Sequence, residues 1–227
     1  MNEVRLITIG EEIHGDNLRI ARELRRNLNE NATRMLNIMS SPGSGKTSLI
    51  LKTIEALKDQ TRICVVEADI DSKVDAEKAA AAGAAAVQLH TGGLCHVDAY
   101  MMEKTLSGID LGAVDLLILE NIGNLICPAQ SDTGAELNIV ILSVPEGDDK
   151  PLKYPLIFRT ADLVIVNKID YLQLGDFDSE KFRSRVAVLN PEVEIIELSC
   201  RTGQGVASWI DWLSRRLNLQ PEGSLQQ

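Results

Sequence analysis

The sequence predicts an α/β protein, a mostly parallel sheet with helices on both faces. Three observations lead there. Short, continuously apolar runs alternate with segments of helical periodicity along the chain. Aromatic residues make up only 4%, so the core must be built from Ala, Val, Ile and Leu, which suit strands buried on both faces. A glycine-rich, phosphate-cradling sequence stands between one apolar run and the helical segment that follows it.

Residues 16–31 set Leu18, Ala21, Leu24 and Leu28 at helical spacing with Arg and Asn opposite, an amphipathic helix whose stripe must cover something. Strands are expected at 36–40, 62–67, 85–89, 114–120, 137–144, 163–167 and 193–199, because each is a short aliphatic run. Helices are expected at 46–59, 74–82, 95–106, 177–189 and 206–219. The alanine-rich stretch 79–86 is broken by Gly83, which ends a helix and turns the chain into the next strand. Nothing repeats at a fixed period and no Pro/Gly/Ser-rich linker divides the 227 residues, so a single domain over 1–227 is expected, with a short polar tail at 220–227.

With 44% hydrophobic and 25% charged residues, the composition is globular. A net charge of −10 opposes binding to nucleic acid and to anionic membranes, because there is no cationic excess to displace counterions. No apolar run approaches the ~18–20 residues that span a bilayer, and the amino terminus lacks the layout of a signal peptide, so a cytoplasmic location is expected. Four scattered cysteines, Cys64, Cys95, Cys127 and Cys200, do not make a disulfide framework in a chain this long; each is core filler, metal ligand or nucleophile.

The segment from Ser41 to Thr47, Ser-Pro-Gly-Ser-Gly-Lys-Thr, follows a strand and opens a helix, the context in which a P-loop works. Gly43, Ser44 and Gly45 let the backbone wrap phosphates, and Ser48 continues into the helix whose positive end attracts the anion. Lys46 is placed to reach the β and γ phosphates and Thr47 to ligate Mg²⁺. Ser40 stands where the strict pattern has its first glycine. Further on, Asn167, Lys168, Ile169 and Asp170 end a strand, and an aspartate there can accept from both the ring N–H and the amine of guanine, a donor pair that adenine lacks. Ser199, Cys200 and Arg201, ending the next strand, stand where a backbone amide can meet the guanine oxygen. GTP is therefore the expected nucleotide.

Carboxylates near the phosphates must serve Mg²⁺ and the attacking water. Glu120 ends an apolar run, as a Walker-B acid does, and Asp69, Asp71 and Asp75 follow the second strand. The three aspartates equally suit a solvated, helix-capping loop. Cys95 and His96 are neighbours at a loop-to-helix junction, and Cys127 follows Glu120 by seven residues. Thiolate and imidazole suit Ni²⁺ or Zn²⁺, and three ligands leave a position that exchanges or that a second copy fills. The plain alternative is a half-buried cysteine beside a surface histidine. Cys64 and Cys200 read as structural, His14 as solvated, and His90 as a group behind the ligands.

With the P-loop, NKID, TGGLCHVDA and ENIGNLICPA in hand, continued by VILSVPEGDDKPLKYPLIFRTADLVIVNKID, the chain resembles the hydrogenase nickel-incorporation GTPases of the HypB family from about Met35 to the last helix. The resemblance implies a P-loop GTPase of the SIMIBI class, with GTP-linked homodimerisation and nickel or zinc held at the subunit interface by Cys95, His96 and Cys127. It implies Lys46 and Thr47 on phosphates and Mg²⁺, Asp75 in a switch segment, and Asn167 and Asp170 on guanine. Implied partners are a HypA-type zinc protein and the hydrogenase large-subunit precursor. Family members usually carry a lysine where Gly93 stands, so a role for that lysine is not carried over; the amino-terminal cysteine motif and histidine-rich storage stretch of some members are absent, so high-affinity or high-capacity nickel storage is not expected. The related UreG GTPases place Cys, Pro and His together, whereas Cys95 directly precedes His96 here. A P-loop kinase and a nucleotide-gated scaffold remain rival classes; NKID argues against the first.

Overall fold

The computed structural model describes residues 9–69 and 74–219, with side chains from residue 15 onward. Asp71, the His14 side chain and the predicted tail lie outside the described residues. The chain runs α1 (Ile9–Glu30), β1 (Arg34–Ser40), α2 (Lys46–Leu57), β2 (Ile63–Asp69), α3 (Val74–Ala82), β3 (Ala85–His90), α4 (Ala99–Leu106), β4 (Leu116–Glu120) and β5 (Leu137–Ser143). It continues through α5 (Lys150–Lys153), α6 (Pro155–Arg159), β6 (Leu163–Asn167), α7 (Ser179–Leu189), β7 (Glu194–Glu197) and α8 (Val206–Leu217).

Seven strands form one sheet in the order β3-β2-β4-β1-β5-β6-β7, and every pairing is parallel. All strand carboxyl ends therefore lie along one edge. From β1 the chain travels outward to β2 and β3, returns through β4, and then crosses to β5 on the other side of β1. A sheet that reverses direction at its centre leaves a crevice outside the carboxyl end of the central strand.

Alternate residues of each strand serve opposite faces. Leu36, Ile38, Ile118, Ile139 and Ile165 pack with Leu49 and Ile54 of α2 and with Trp209 and Leu213 of α8. On the other face Met35, Cys64, Val66, Leu117 and Leu119 pack beneath α1 and α4. Farther along the same side, Val140, Val164 and Val166 pack against Phe158 of α6 and Phe182 of α7. Two covered faces explain why the central strands carry apolar residues on both sides rather than alternating.

Of the predicted α1 stripe, Ala21, Leu24 and Leu28 are buried while Leu18 stays 46% exposed. The helix is pinned by polar groups as well. Arg25 forks onto Asp132 at 2.9 and 2.6 Å, and Asn17 donates to the Asp132 carbonyl at 2.9 Å while accepting the Ala99 N–H at 2.9 Å. Gly134 lets the loop pass under the helix: a Cβ there would stand 2.9 Å from Leu24 Cβ.

Several boundaries differ from the sequence expectation. α4 begins at Ala99, not at residue 95, because Asp98 takes the N-cap position and accepts the Met101 N–H at 2.9 Å; Cys95 and His96 are thus in the loop before it. β4 starts at Leu116 because Leu111–Ala113 coil into a 3₁₀ turn. β1 starts earlier, at Arg34, and β7 is only Glu194–Glu197. The unpredicted α5 and α6 each carry a proline, Pro151 and Pro155, in the first turn, where a missing N–H costs nothing. Cys64 and Cys200 are buried, and burial pushes both thiols up to about 11, which keeps them protonated core side chains. No helix among the described residues is long and apolar enough to cross a membrane.

Trp209 is fully buried, donates from Nε1 to Thr53 Oγ1 at 2.9 Å, and stacks on Trp212. Trp209→Ala should lower the unfolding free energy by about 3–5 kcal/mol in urea titrations. A loss below 1 kcal/mol would mean that α8 does not anchor this face.

Candidate nucleotide and metal sites

β1 ends at Ser40, and the chain then turns through Gly43 and Gly45, with φ of 77° and 105°, into the amino end of α2. Gly45 is required on two counts: its φ is left-handed, and a Cβ would lie 2.3 Å from Asn167 Nδ2. Ser40 does not need to be glycine because it still belongs to the strand. Its hydroxyl donates to the Ser41 carbonyl at 2.7 Å and accepts from Lys46 Nζ at 3.1 Å. Ser44 Oγ closes the loop onto the Ser41 carbonyl at 2.9 Å. The loop is held from behind by the strand-end segment that sequence analysis assigned to the base. Asn167 Nδ2 donates to the Ser44 carbonyl at 2.8 Å, and Lys168 Nζ to the Gly43 carbonyl at 2.6 Å.

A cavity of about 600 Å³ opens on this loop, lined among others by Lys46, Thr47, Ser48, Glu67, Asp75 and Glu120. Thr47 Oγ1 donates to Glu120 Oε1 at 2.8 Å. Glu120 and Glu67 face each other in register on neighbouring strands, 4% and 5% exposed. Burial, and then the charge of Glu120, push the Glu67 carboxyl up to about 10, while burial raises Glu120 as well. Glu67 Oε2 has no hydrogen-bond partner among the described residues. Oxygens of Glu67, Asp75 and Glu120 all lie within 4.8 Å of one another. Asp75 is paired with Lys78 at 2.6 Å, and Asp69 lines the cavity at the end of β2. Such an all-oxygen set, with an orphaned buried carboxylate oxygen among it, fits a hard divalent cation such as Mg²⁺.

Glu67 is the residue that the sequence analysis missed, because it read as the last member of an apolar strand. The available signal was the one used for Glu120: a carboxylate closing an aliphatic run.

On the base side Ser199, fully buried, donates to Asp170 Oδ1 at 2.6 Å, and Arg201 reaches Oδ2 at 3.6 Å. The Cys200 amide donates to Asn167 Oδ1 at 3.2 Å, as does the Lys168 amide at 2.7 Å. Asn167 is thus bonded to Ser44, Lys168 and Cys200, and Lys168 adopts a left-handed φ of 61° between it and Asp170.

A second, chemically different cluster lies beyond the end of β4. Cys95, His96 and Cys127 bring ligand atoms within 4.8 Å of one another, with Cys95 Sγ 3.8 Å from His96 Nδ1. A hydrogen bond with the Cys127 thiol alongside is the main cause that raises Cys95 above the usual thiol range. Cys127 opens a 3₁₀ turn with Pro128, whereas Cys95 and His96 come from the loop before α4. Sulfur and nitrogen donors suit a borderline-soft transition metal, as the oxygen cluster does not. His90 ends β3, is exposed and is not in the cluster.

A family model described as the CobW/HypB/UreG nucleotide-binding domain matches residues 34–197. The hydrogenase maturation factor HypB of Azotobacter vinelandii is 43% identical over 216 residues, covering 95% of this chain and 71% of that protein. The crystal structure of HypB from Archaeoglobus fulgidus superposes with a TM-score of 0.84 at 41% identity, covering 90% of this chain and 100% of that one. That of HypB from Helicobacter pylori in complex with nickel gives a TM-score of 0.82 at 38% identity, covering 92% of this chain and 100% of that one.

The raised Glu67 carboxyl has a measurable consequence. The native state keeps its proton between the unfolded value of 4.5 and about 10, so the stability it contributes is fully present below pH 4.5 and is lost as pH rises through that window. Glu67→Gln removes this loss. In metal-free, nucleotide-free protein the variant should gain on wild type in melting temperature from pH 5 to pH 8; a difference that does not change with pH contradicts the assignment.

Proposed function

The chain belongs to the CobW/HypB/UreG nucleotide-binding family and, within it, to the HypB hydrogenase maturation factors, which makes it a GTPase, and from that premise we propose a GTP-driven metallochaperone whose cargo is nickel. Its work would be to load nickel, or zinc as the competing ion, on Cys95, His96 and Cys127 and to release it during [NiFe]-hydrogenase maturation. One observation carries the reading: a single loop of six residues, 121–126, separates Glu120 in the phosphate cavity from Cys127 in the sulfur cluster.

The residues divide the work by chemistry. Lys46 and the amides of Gly43, Ser44, Gly45, Lys46 and Thr47 at the start of α2 supply positive potential to the β and γ phosphates, and they are preorganised by Asn167 and Lys168 from behind. Asp170, oriented by Ser199, accepts the guanine ring N–H and amine. Thr47, Asp75 and Glu120 would hold Mg²⁺, which neutralises phosphate charge when bound. Glu120, already bonded to Thr47, also orients water beside the γ phosphate.

The three sulfur and nitrogen ligands fall one short of a tetrahedral shell, and Cys95 is exposed, so a second copy of the chain can complete the shell across a homodimer. The HypA-type zinc protein and the hydrogenase large-subunit precursor are the partners this role calls for. Because both sites share a loop, metal and nucleotide should change one another's affinity by the same factor.

Light scattering after size exclusion, with and without Ni²⁺, Zn²⁺, GDP and a non-hydrolysable GTP analogue, tests the assembly: dimers should form with the analogue or metal. Identical mass in all samples counts against coupling. Lys46→Ala should slow GTP turnover by about 10²-fold or more while one equivalent of Ni²⁺ still binds. Cys95→Ala and Cys127→Ala should do the reverse, and undiminished nickel stoichiometry in both would remove them as ligands.

A further inference from the structure

Cys127 is placed by the chain that leaves Glu120, but Cys95 and His96 arrive on a different loop, so a change at the phosphates reaches all three ligands only if something ties the loops together. Two asparagines do so. Asn121, 1% exposed, accepts the N–H of Val97, the residue after His96, at 3.3 Å, and the N–H of Ile122 at 2.9 Å through the same side-chain oxygen. Its side-chain nitrogen donates to Asn37 Oδ1 at 3.0 Å, and Asn37 donates in turn to Asn138 Oδ1 at 2.9 Å. The amides thus run head to tail from β5 through β1 to the end of β4 and finish on the metal loop. In such a chain each carboxamide fixes the orientation of the next, since flipping one would set donor against donor. Asn124 adds a second tie, donating to the Cys95 carbonyl at 3.4 Å.

The same stretch bears on the P-loop from its other side. Gly123 lies against Pro42 so closely that a Cβ would stand 3.0 Å from both Pro42 N and Cγ. Residues 121–124 therefore touch the phosphate loop at Gly123 and the thiol–imidazole loop at Asn121 and Asn124.

We infer that Asn121 is a positioning residue that couples the two sites, holding the Cys95–His96 loop to the end of β4 so that movement of the P-loop, felt at Gly123, shifts all three metal ligands as one group. This deepens the proposed function and rests on it. An apolar side chain of similar size would fill the space under Val97 but would leave the two backbone N–H groups without their acceptor and the loops untied.

The test is a linkage measurement on the full chain. Ni²⁺ affinity is determined by competition with a chromophoric chelator, once with GDP and once with a non-hydrolysable GTP analogue, and the ratio of the two dissociation constants is the coupling factor. Wild type should show a factor of about five or more. Asn121→Ala should bring it to within about twofold of unity, with Asn124→Ala intermediate; one bound nickel should remain in each. A purely structural role would weaken nickel equally in both nucleotide states and leave the ratio unchanged. If Asn121→Ala fails to fold by circular dichroism, Asn124→Ala and Gly123→Ala decide, since each perturbs one end of the same link. Wild-type coupling that survives in the variants overturns the inference alone. Equal nickel affinity in the two wild-type states overturns it together with the coupling reading on which it rests.

Discussion

The register of β4 against its two neighbours is the constraint on which both sites depend. Parallel pairing sets Glu120 opposite Ile38 of β1 and Glu67 of β2. Glu120 therefore emerges two residues short of the strand end at Ser40, beside the amino terminus of α2, where it receives the Thr47 hydroxyl. A slip of one residue would turn the carboxylate to the opposite face of the sheet, under α1 and α4, and Asn121 would no longer meet Asn37. The register is held by the full burial of Leu116 to Leu119 on both faces, so the aliphatic core fixes the position of the polar groups that follow it.

What the core positions is then divided by donor chemistry. Carboxylate oxygens and a lysine gather around the cavity at the glycine-rich loop; sulfur and nitrogen donors gather one loop away. Neither cluster contains the donors of the other, so the two suit different classes of cation. The groups linking them, Asn121 and its neighbours, are neutral carboxamides. They transmit position without adding charge to a region that already holds two buried glutamates.

The fold was largely legible in the sequence because its signals are local and repetitive. Aliphatic runs separated by helical stretches specify a doubly covered parallel sheet, and each of the seven predicted strands is present. Apart from the two short helices α5 and α6, which have too few residues to show a helical period, the differences lie at element ends, where a single capping interaction decides. The helical run from residue 95 places Asp98 inside a helix, but its carboxylate, by accepting the Met101 N–H, makes it the N-cap, and Cys95 and His96 lie in the loop before it, near Cys127. The degenerate P-loop position has a similarly local account: Ser40 is still strand, and its hydroxyl meets Lys46.

The sequence by itself determined the side chains available: a glycine-rich turn with Lys46 and Thr47, an aspartate at Asp170 just past a strand, and two thiols and an imidazole at Cys95, Cys127 and His96, because these depend on residue type and short spacing. Only the tertiary structure decided which distant groups share a site. Strand order and register put Glu67 opposite Glu120 and close Asn167 over Gly45, and they join Asn121 to Val97. Pairings between residues tens of positions apart follow from the packing of the whole sheet, and no local pattern along the chain encodes them.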